Sequence, residues 1–165
     1  MQNDSQLKKT KCPYQKKFTA IKAFCLIFLL LLADRITKYA ARSFQVERIN
    51  RGISFGLFAE LPAHWIIIIN ILILVCFIIF CVSLLSKLPQ LPRTGLAVLC
   101  AGILGNMWDR LLYGYVTDWL VLPFSSLLFT EGLAVNLADL FLIAGLLLFL
   151  VDLYRLEDLQ PPKKP

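Results

Sequence analysis

Four long apolar blocks, separated by polar segments, dominate the 165 residues of this chain. A bilayer core needs about 20 mostly apolar residues in helix. The blocks predict helices over about 18–37, 63–85, 94–113 and 133–154. Ala23–Ala33, Ile66–Ile69 and Ile71–Val75 are their densest stretches. Between the first two blocks the period changes. Ile53, Phe55 and Leu57 alternate with Ser54 and Gly56, the two-residue period of a strand. Phe44 and Val46 offer a second strand, turned near Asn50-Arg51-Gly52. The expected fold is therefore an all-α integral membrane protein of four transmembrane helices, with a small β-sheet over about 42–62 on its outer face. One membrane domain, 18–154, lies between a basic tail (1–17) and a polar tail (155–165) that ends in Pro161-Pro162-Lys163-Lys164-Pro165. Pro89 and Pro92 interrupt helix in the short loop Ser86–Arg93.

Composition agrees with the pattern: 58% of residues are hydrophobic and the mean hydropathy is +0.70. The first block follows basic residues, as a cleaved leader would. The next residues are Asp34-Arg35-Ile36-Thr37-Lys38 rather than a small-x-small site, so a retained helix is expected. Net charge is +6, yet Lys8, Lys9, Lys11, Lys16, Lys17 and Lys22 cluster before the first block. That position suits a cytoplasmic flank and anionic lipid headgroups, not a nucleic-acid groove. Cys25, Cys76, Cys81 and Cys100 fall in apolar blocks and Cys12 in the tail. With no CxxC and a single histidine, His64, they are expected as buried reduced thiols, and no metal is expected.

Charged side chains inside a membrane segment are costly and persist where they pair or work. Asp34 and Lys38 are four apart and share a helix face. Asn106, Asp109 and Arg110 follow at i, i+3 and i+4, beside Gly102 and Gly105, which allow a neighbouring helix to approach. Arg110 is suited to hold a carboxylate or main-chain carbonyl through its fork. Asn70 is expected to bond to a neighbouring helix. Asp139 lies six residues past Leu133, about 9 Å along a helix, with Asn136 one turn outward. Asp118 follows the third helix in a segment able to move. Two carboxylates at one wet pocket can share a proton and activate water. The same residues also fit a small proton-coupled transporter or channel subunit using Asp139. No HExxH, Walker loop or dinucleotide fingerprint occurs.

Taken in order, Asp34-Arg35-Ile36-Thr37-Lys38, Asn50-Arg51-Gly52-Ile53-Ser54-Phe55, Gly105-Asn106-Met107-Trp108-Asp109-Arg110 with Gly114-Tyr115-Val116-Thr117-Asp118-Trp119, and Asn136-Leu137-Ala138-Asp139 resemble the lipoprotein signal peptidase (signal peptidase II) family. Arg35 stands where that family usually has Gln, Val135 where it has an aromatic, Trp119 for a common Phe and Leu140 for a common Ser. The resemblance implies an aspartic endopeptidase of the bacterial inner membrane, free of cofactor. Its catalytic pair would be Asp118 and Asp139, supported by Asp34, Lys38, Asn50, Gly52, Asn106, Asp109, Arg110, Asn136 and Ala138. It also implies that diacylglyceryl-prolipoproteins are cut just before the lipidated lipobox cysteine, and that globomycin blocks the acid pair. The outer strands would form a cradle, and Arg35 would touch the pocket's outer rim. No obligate protein partner is expected.

With the amino terminus inside, 11 Lys and Arg lie on the inner side and six on the outer. This bias predicts both termini in the cytoplasm and Glu131 outside. A cysteine placed at Glu131 should react with an impermeant reagent from the outer face, and labelling only from the cytoplasm would reverse the topology.

Overall fold

The computed structural model describes residues 20–53, 58, 60–87, 93–127 and 132–158. Helix α1 spans Ala20–Ser43, α2 Ala63–Lys87, α3 Thr94–Tyr113 and α4 Leu137–Asp158. Among the described residues, three stretches are long and apolar enough to cross a bilayer: Ala63–Leu84, Thr94–Tyr113 and Leu137–Arg155. The helix α1 has the length, at 24 residues, but carries Lys22, Asp34, Arg35, Lys38 and Arg42.

Helix α3 is the centre of the bundle and packs chiefly against α4, then α1. Its contact with α4 is close because glycines line it. A Cβ on Gly95 would lie 2.6 Å from the Phe149 backbone nitrogen, one on Gly145 2.6 Å from that of Leu99, and one on Gly102 2.6 Å from the Ala138 carbonyl oxygen. Lipid tails are as apolar as leucine, so helix association here depends on such close packing and on polar contacts. Outward, α2 presents Ile68, Leu72, Ile79 and Val82, all exposed. Cys25 and Cys76 are also exposed rather than buried; Cys25, Cys76, Cys81 and Cys100 are free thiols. Long apolar helices leave most of their circumference to lipid, so an apolar block does not by itself bury its cysteines. Asn70 turns back on its own helix, donating Nδ2–H to the Ile66 carbonyl at 2.7 Å, not to a neighbour.

The sheet differs from the expected hairpin. Phe44 sits in the turn after α1, Val46 lies in no strand and returns its N–H to the Ala41 carbonyl, and Ser54–Leu57 lie outside the described residues. Strand β1 is Arg48–Asn50, and it pairs antiparallel with β2, Val116–Asp118, from beyond α3. A second small sheet joins β3, Leu120–Val121, to β4, Ala134–Val135. The turn at Asn50 is nevertheless real: its Oδ1 accepts the Gly52 N–H at 3.0 Å. Helix α3 ends where Gly114 takes φ 74° and returns its N–H to the Arg110 carbonyl. That reversal feeds the chain into β2.

Gly102→Ala should lower stability by about 1–3 kcal/mol through overpacking, despite alanine's better helix propensity. Thermal unfolding in detergent measures this; an unchanged or raised melting temperature would show that α3 and α4 do not depend on this approach.

Candidate active site

At its base, the site is a buried ion cluster between α1 and α3. Asp34, Lys38 and Asp109 have no solvent exposure. Lys38 Nζ lies 3.1 Å from Asp34 and 3.2 Å from Asp109. The i, i+4 pair expected between Asp34 and Lys38 is thus formed, fully buried in the bundle. Arg35 does not reach an outer rim. Its guanidinium turns inward and donates to Asp34, Asp109 and the Gly105 carbonyl. Two buried carboxylates attract a flexible cation more strongly than open water does. Arg42, one turn beyond Lys38, donates to Asp109 at 3.1 Å and to Thr117 Oγ1 at 2.6 Å.

Each acid of this cluster also fixes a backbone. Asp34 Oδ1 accepts the Ala138 N–H at 3.1 Å, in the first turn of α4, and Asp109 Oδ2 accepts the Thr117 N–H at 3.0 Å in β2. Ala138 is fully buried, and Gly105 leaves room there: a Cβ on it would lie 3.0 Å from both the Ala138 Cβ and an Asp34 oxygen.

Asp118 and Asp139 meet around Asn136. The Asn136 Nδ2–H donates to Asp118 at 2.6 Å, while its backbone N–H donates to Asp139 at 3.1 Å. The Asp139 N–H returns to Asn136 Oδ1 at 3.0 Å. Asn136 and Asp139 thereby form a reciprocal capping box at the start of α4. Helix α4 begins at Leu137, so Asp139 is its third residue and not a turn and a half down; Ala134 and Val135 are strand. Asn106 completes the link. It accepts from Lys38 Nζ at 2.9 Å and donates to Asp139 at 2.7 Å.

Asp118 is held on its other side too. Asn50 donates Nδ2–H to it at 3.0 Å, and Asp118 is paired in β2 rather than lying in a free segment. Burial pushes its carboxyl up to about 6 and the Asp139 charge pushes the same way, opposed by the Asn136 and Asn50 amides and by Lys38. Arg110 supports the neighbouring loop. Its Nη2 donates to the Gly52 and Ile53 carbonyls, at 2.9 and 2.8 Å, and its Nη1 to the Asn106 carbonyl of its own helix at 3.4 Å, so the fork holds main-chain carbonyls. Asp34, Lys38, Asn50, Gly52, Asn106, Asp109, Arg110, Asp118, Asn136, Ala138 and Asp139 therefore converge, whereas Asn70 does not join them. Arg42 and Thr117 were not singled out, although the 34, 38, 42 spacing marks one helix stripe.

The chain and its fold have counterparts. A family model described as signal peptidase (SPase) II matches residues 26–155. The lipoprotein signal peptidase of Solibacter usitatus (strain Ellin6076) is 28% identical over 152 residues, spanning 81% of this chain and 91% of that protein. That of Ectopseudomonas mendocina (strain ymp) is 26% identical over 160 residues, spanning 87% and 94%. That of Chlamydia trachomatis serovar D is 34% identical over 113 residues, spanning 68% and 65%. Two bacterial membrane enzymes solved by the in meso method, at 2.3 and 1.9 Å, share the fold with TM-scores of 0.68 and 0.63. They are 21% and 22% identical, cover 88% and 81% of this chain, and are themselves covered over 95% and 93%.

Replacing Lys38 with Met should cost roughly 3 kcal/mol, the low end for a broken buried pair, because Arg35 and Arg42 remain. It should also free the Asn106 amide to rotate. Turnover should fall without vanishing. A melting temperature equal to wild type would show that the buried acids do not rely on Lys38.

Proposed function

For this chain, which belongs to the signal peptidase II family, we propose an aspartic mechanism centred on Asp118 and Asp139. The substrate is a prolipoprotein carrying diacylglycerol on its lipobox cysteine, and the bond cut is the one just before that cysteine. The observation that carries the reading is the single Asn136 between two carboxylates, with its side chain on one and its backbone on the other.

The chemistry follows from what a peptide bond requires. Water must lose a proton as its oxygen attacks, and the carbonyl oxygen must gain one. Two free aspartates, with ordinary values near 3.9, would both be ionised at neutral pH. Burial and mutual repulsion favour one shared proton instead. Asp118, with its carboxyl raised to about 6, takes up that proton more readily than a free aspartate and donates it to the carbonyl oxygen. Asp139 lies in the first turn of α4, at the positive end of the helix dipole. It receives N–H bonds from Asn106 and Asn136 and acts as the base toward water. Collapse of the tetrahedral intermediate returns a proton to the departing cysteine nitrogen and breaks the C–N bond.

Helix α1 is the fourth membrane crossing in this reading. Its charged residues Asp34 and Lys38 are buried against α3, while Phe24, Phe28, Leu29, Leu32 and Ile36 face outward, as lipid contact requires. The protein is then a four-span enzyme of the bacterial inner membrane. Both termini are cytoplasmic, and the two small sheets lie on the outer side. No cofactor takes part in any step.

Asp118→Asn and Asp139→Asn should each abolish cleavage of a diacylglyceryl-modified prolipoprotein while the protein still folds, and the double variant should be no worse. Robust cleavage by either single variant, with the product confirmed by mass, would overturn the pair. A second test is the pH profile of kcat/KM. The required proton is lost as pH rises, so activity should decline above about pH 6, the value to which Asp118 is raised. Asn50→Ala removes a donor that favours the ionised form, so this limb should move to higher pH. A shift to lower pH would contradict Asp118 as the acid.

A further inference from the structure

We propose that Arg42 and Thr117 act together as a positioning pair that aims Asp118, an inference that rests on Asp118 being catalytic. Arg42 belongs to the last turn of α1, and its side-chain hydrogen bonds among the described residues go to Thr117 and Asp109 rather than to Asp118 or Asp139. Its guanidinium converges on one hydroxyl: Nε donates to Thr117 Oγ1 at 3.0 Å and Nη2 to the same oxygen at 2.6 Å. Nη2 also donates to Asp109 Oδ1 at 3.1 Å. The guanidinium carbon lies 4.0 Å from the centroid of the Tyr113 ring, at the end of α3. Arg42 therefore joins the ends of α1 and α3 to β2.

Thr117 is fully buried. It is held through its hydroxyl by Arg42 and through its N–H by Asp109. The strand it occupies is weak by itself: β2 has three residues, pairs with β1 alone, and follows a left-handed glycine. Ribbons this short are marginal without outside support. Successive side chains in a strand point to opposite faces. Thr117 faces the α1–α3 ion cluster, so Asp118 faces Asn50 and Asn136. Fixing the rotation of Thr117 about the strand axis thus fixes the direction of the next carboxylate.

Charge balance alone does not account for this arrangement. Asp109 already has Lys38 and Arg35 as partners, and neutralising it requires no bond to Thr117. A buried strand position ordinarily takes Val as readily as Thr. Here the hydroxyl gives the Arg42 fork a second acceptor.

The test uses the purified full chain, a diacylglyceryl-modified prolipoprotein, and thermal unfolding to confirm the folded state. Thr117→Val keeps shape and strand propensity but removes the acceptor. It should lower kcat by about ten- to a hundredfold, the scale of a misplaced catalytic group, with KM unchanged. Thr117→Ser should restore kcat to within about threefold of wild type, since the hydroxyl returns. Arg42→Lys keeps a cation for Asp109 but has no fork, so it should show the same kcat loss and decide the matter if Thr117→Val fails to fold. The double variant should lose no more than either single one. Wild-type kcat in Thr117→Val or in Arg42→Lys, equal deficiency in Thr117→Ser, or additive losses would each overturn the pair. Asp118→Asn, assayed beside them, separates the two readings. Cleavage by that variant removes the acid pair itself, whereas its silence beside a wild-type Thr117→Val removes only the positioning role.

Discussion

The structure depends on keeping Asp34 and Asp109 charged where there is almost no water. Each carboxylate is fully buried, and each is answered by Lys38 and by Arg35. Burying an ion costs several kcal/mol unless partners sit at hydrogen-bond distance, so the cluster tolerates little change in helix register. That intolerance is useful. Apolar side chains gain nothing from one another over lipid tails, so α1 and α3 could slide along each other at small cost if leucines alone joined them. The ion cluster prevents the slide, and the same acids extend to the first turn of α4 and to β2.

Neutral amides then carry this order to Asp139 and Asp118. Lys38 sets the direction of Asn106, Asn106 donates to Asp139, and Asn136 joins Asp139 to Asp118. An amide has a donor end and an acceptor end, so each link fixes the orientation of the next. A chain of charges would have satisfied the same distances with less directional control, and would have shifted the proton balance of the acids it touches.

Much of this was legible in the chain. Long apolar blocks mark α2, α3 and α4 because lipid demands them, and the spacing of Asn106, Asp109 and Arg110 places them on one face. The start of α4 was misread because Leu133, Ala134 and Val135 are apolar and strand residues can be apolar too. The Asn136–Asp139 spacing of three, read as a capping box, would have placed the boundary correctly. The pairing of β1 with β2 was not legible, since it joins residues as far apart as Arg48 and Asp118 and no local pattern encodes so distant a partner. The inward turn of Arg35 was hidden for a related reason. A long cation's direction depends on what a third element offers, and Asp109 lies 74 positions away.

The reciprocal bonds between Asn136 and Asp139 carry one more implication, for the biogenesis of the enzyme. In the proposed mechanism the carboxylate that activates water is also the stopper that closes the first turn of the last helix. On that mechanism, seating the helix and arming the hydrolase are one event. A nascent chain whose final segment has not yet entered the bilayer has no competent acid to turn on neighbouring proteins. In that reading the danger of a half-built protease is lessened, because activity and the seating of the last helix share the same two hydrogen bonds.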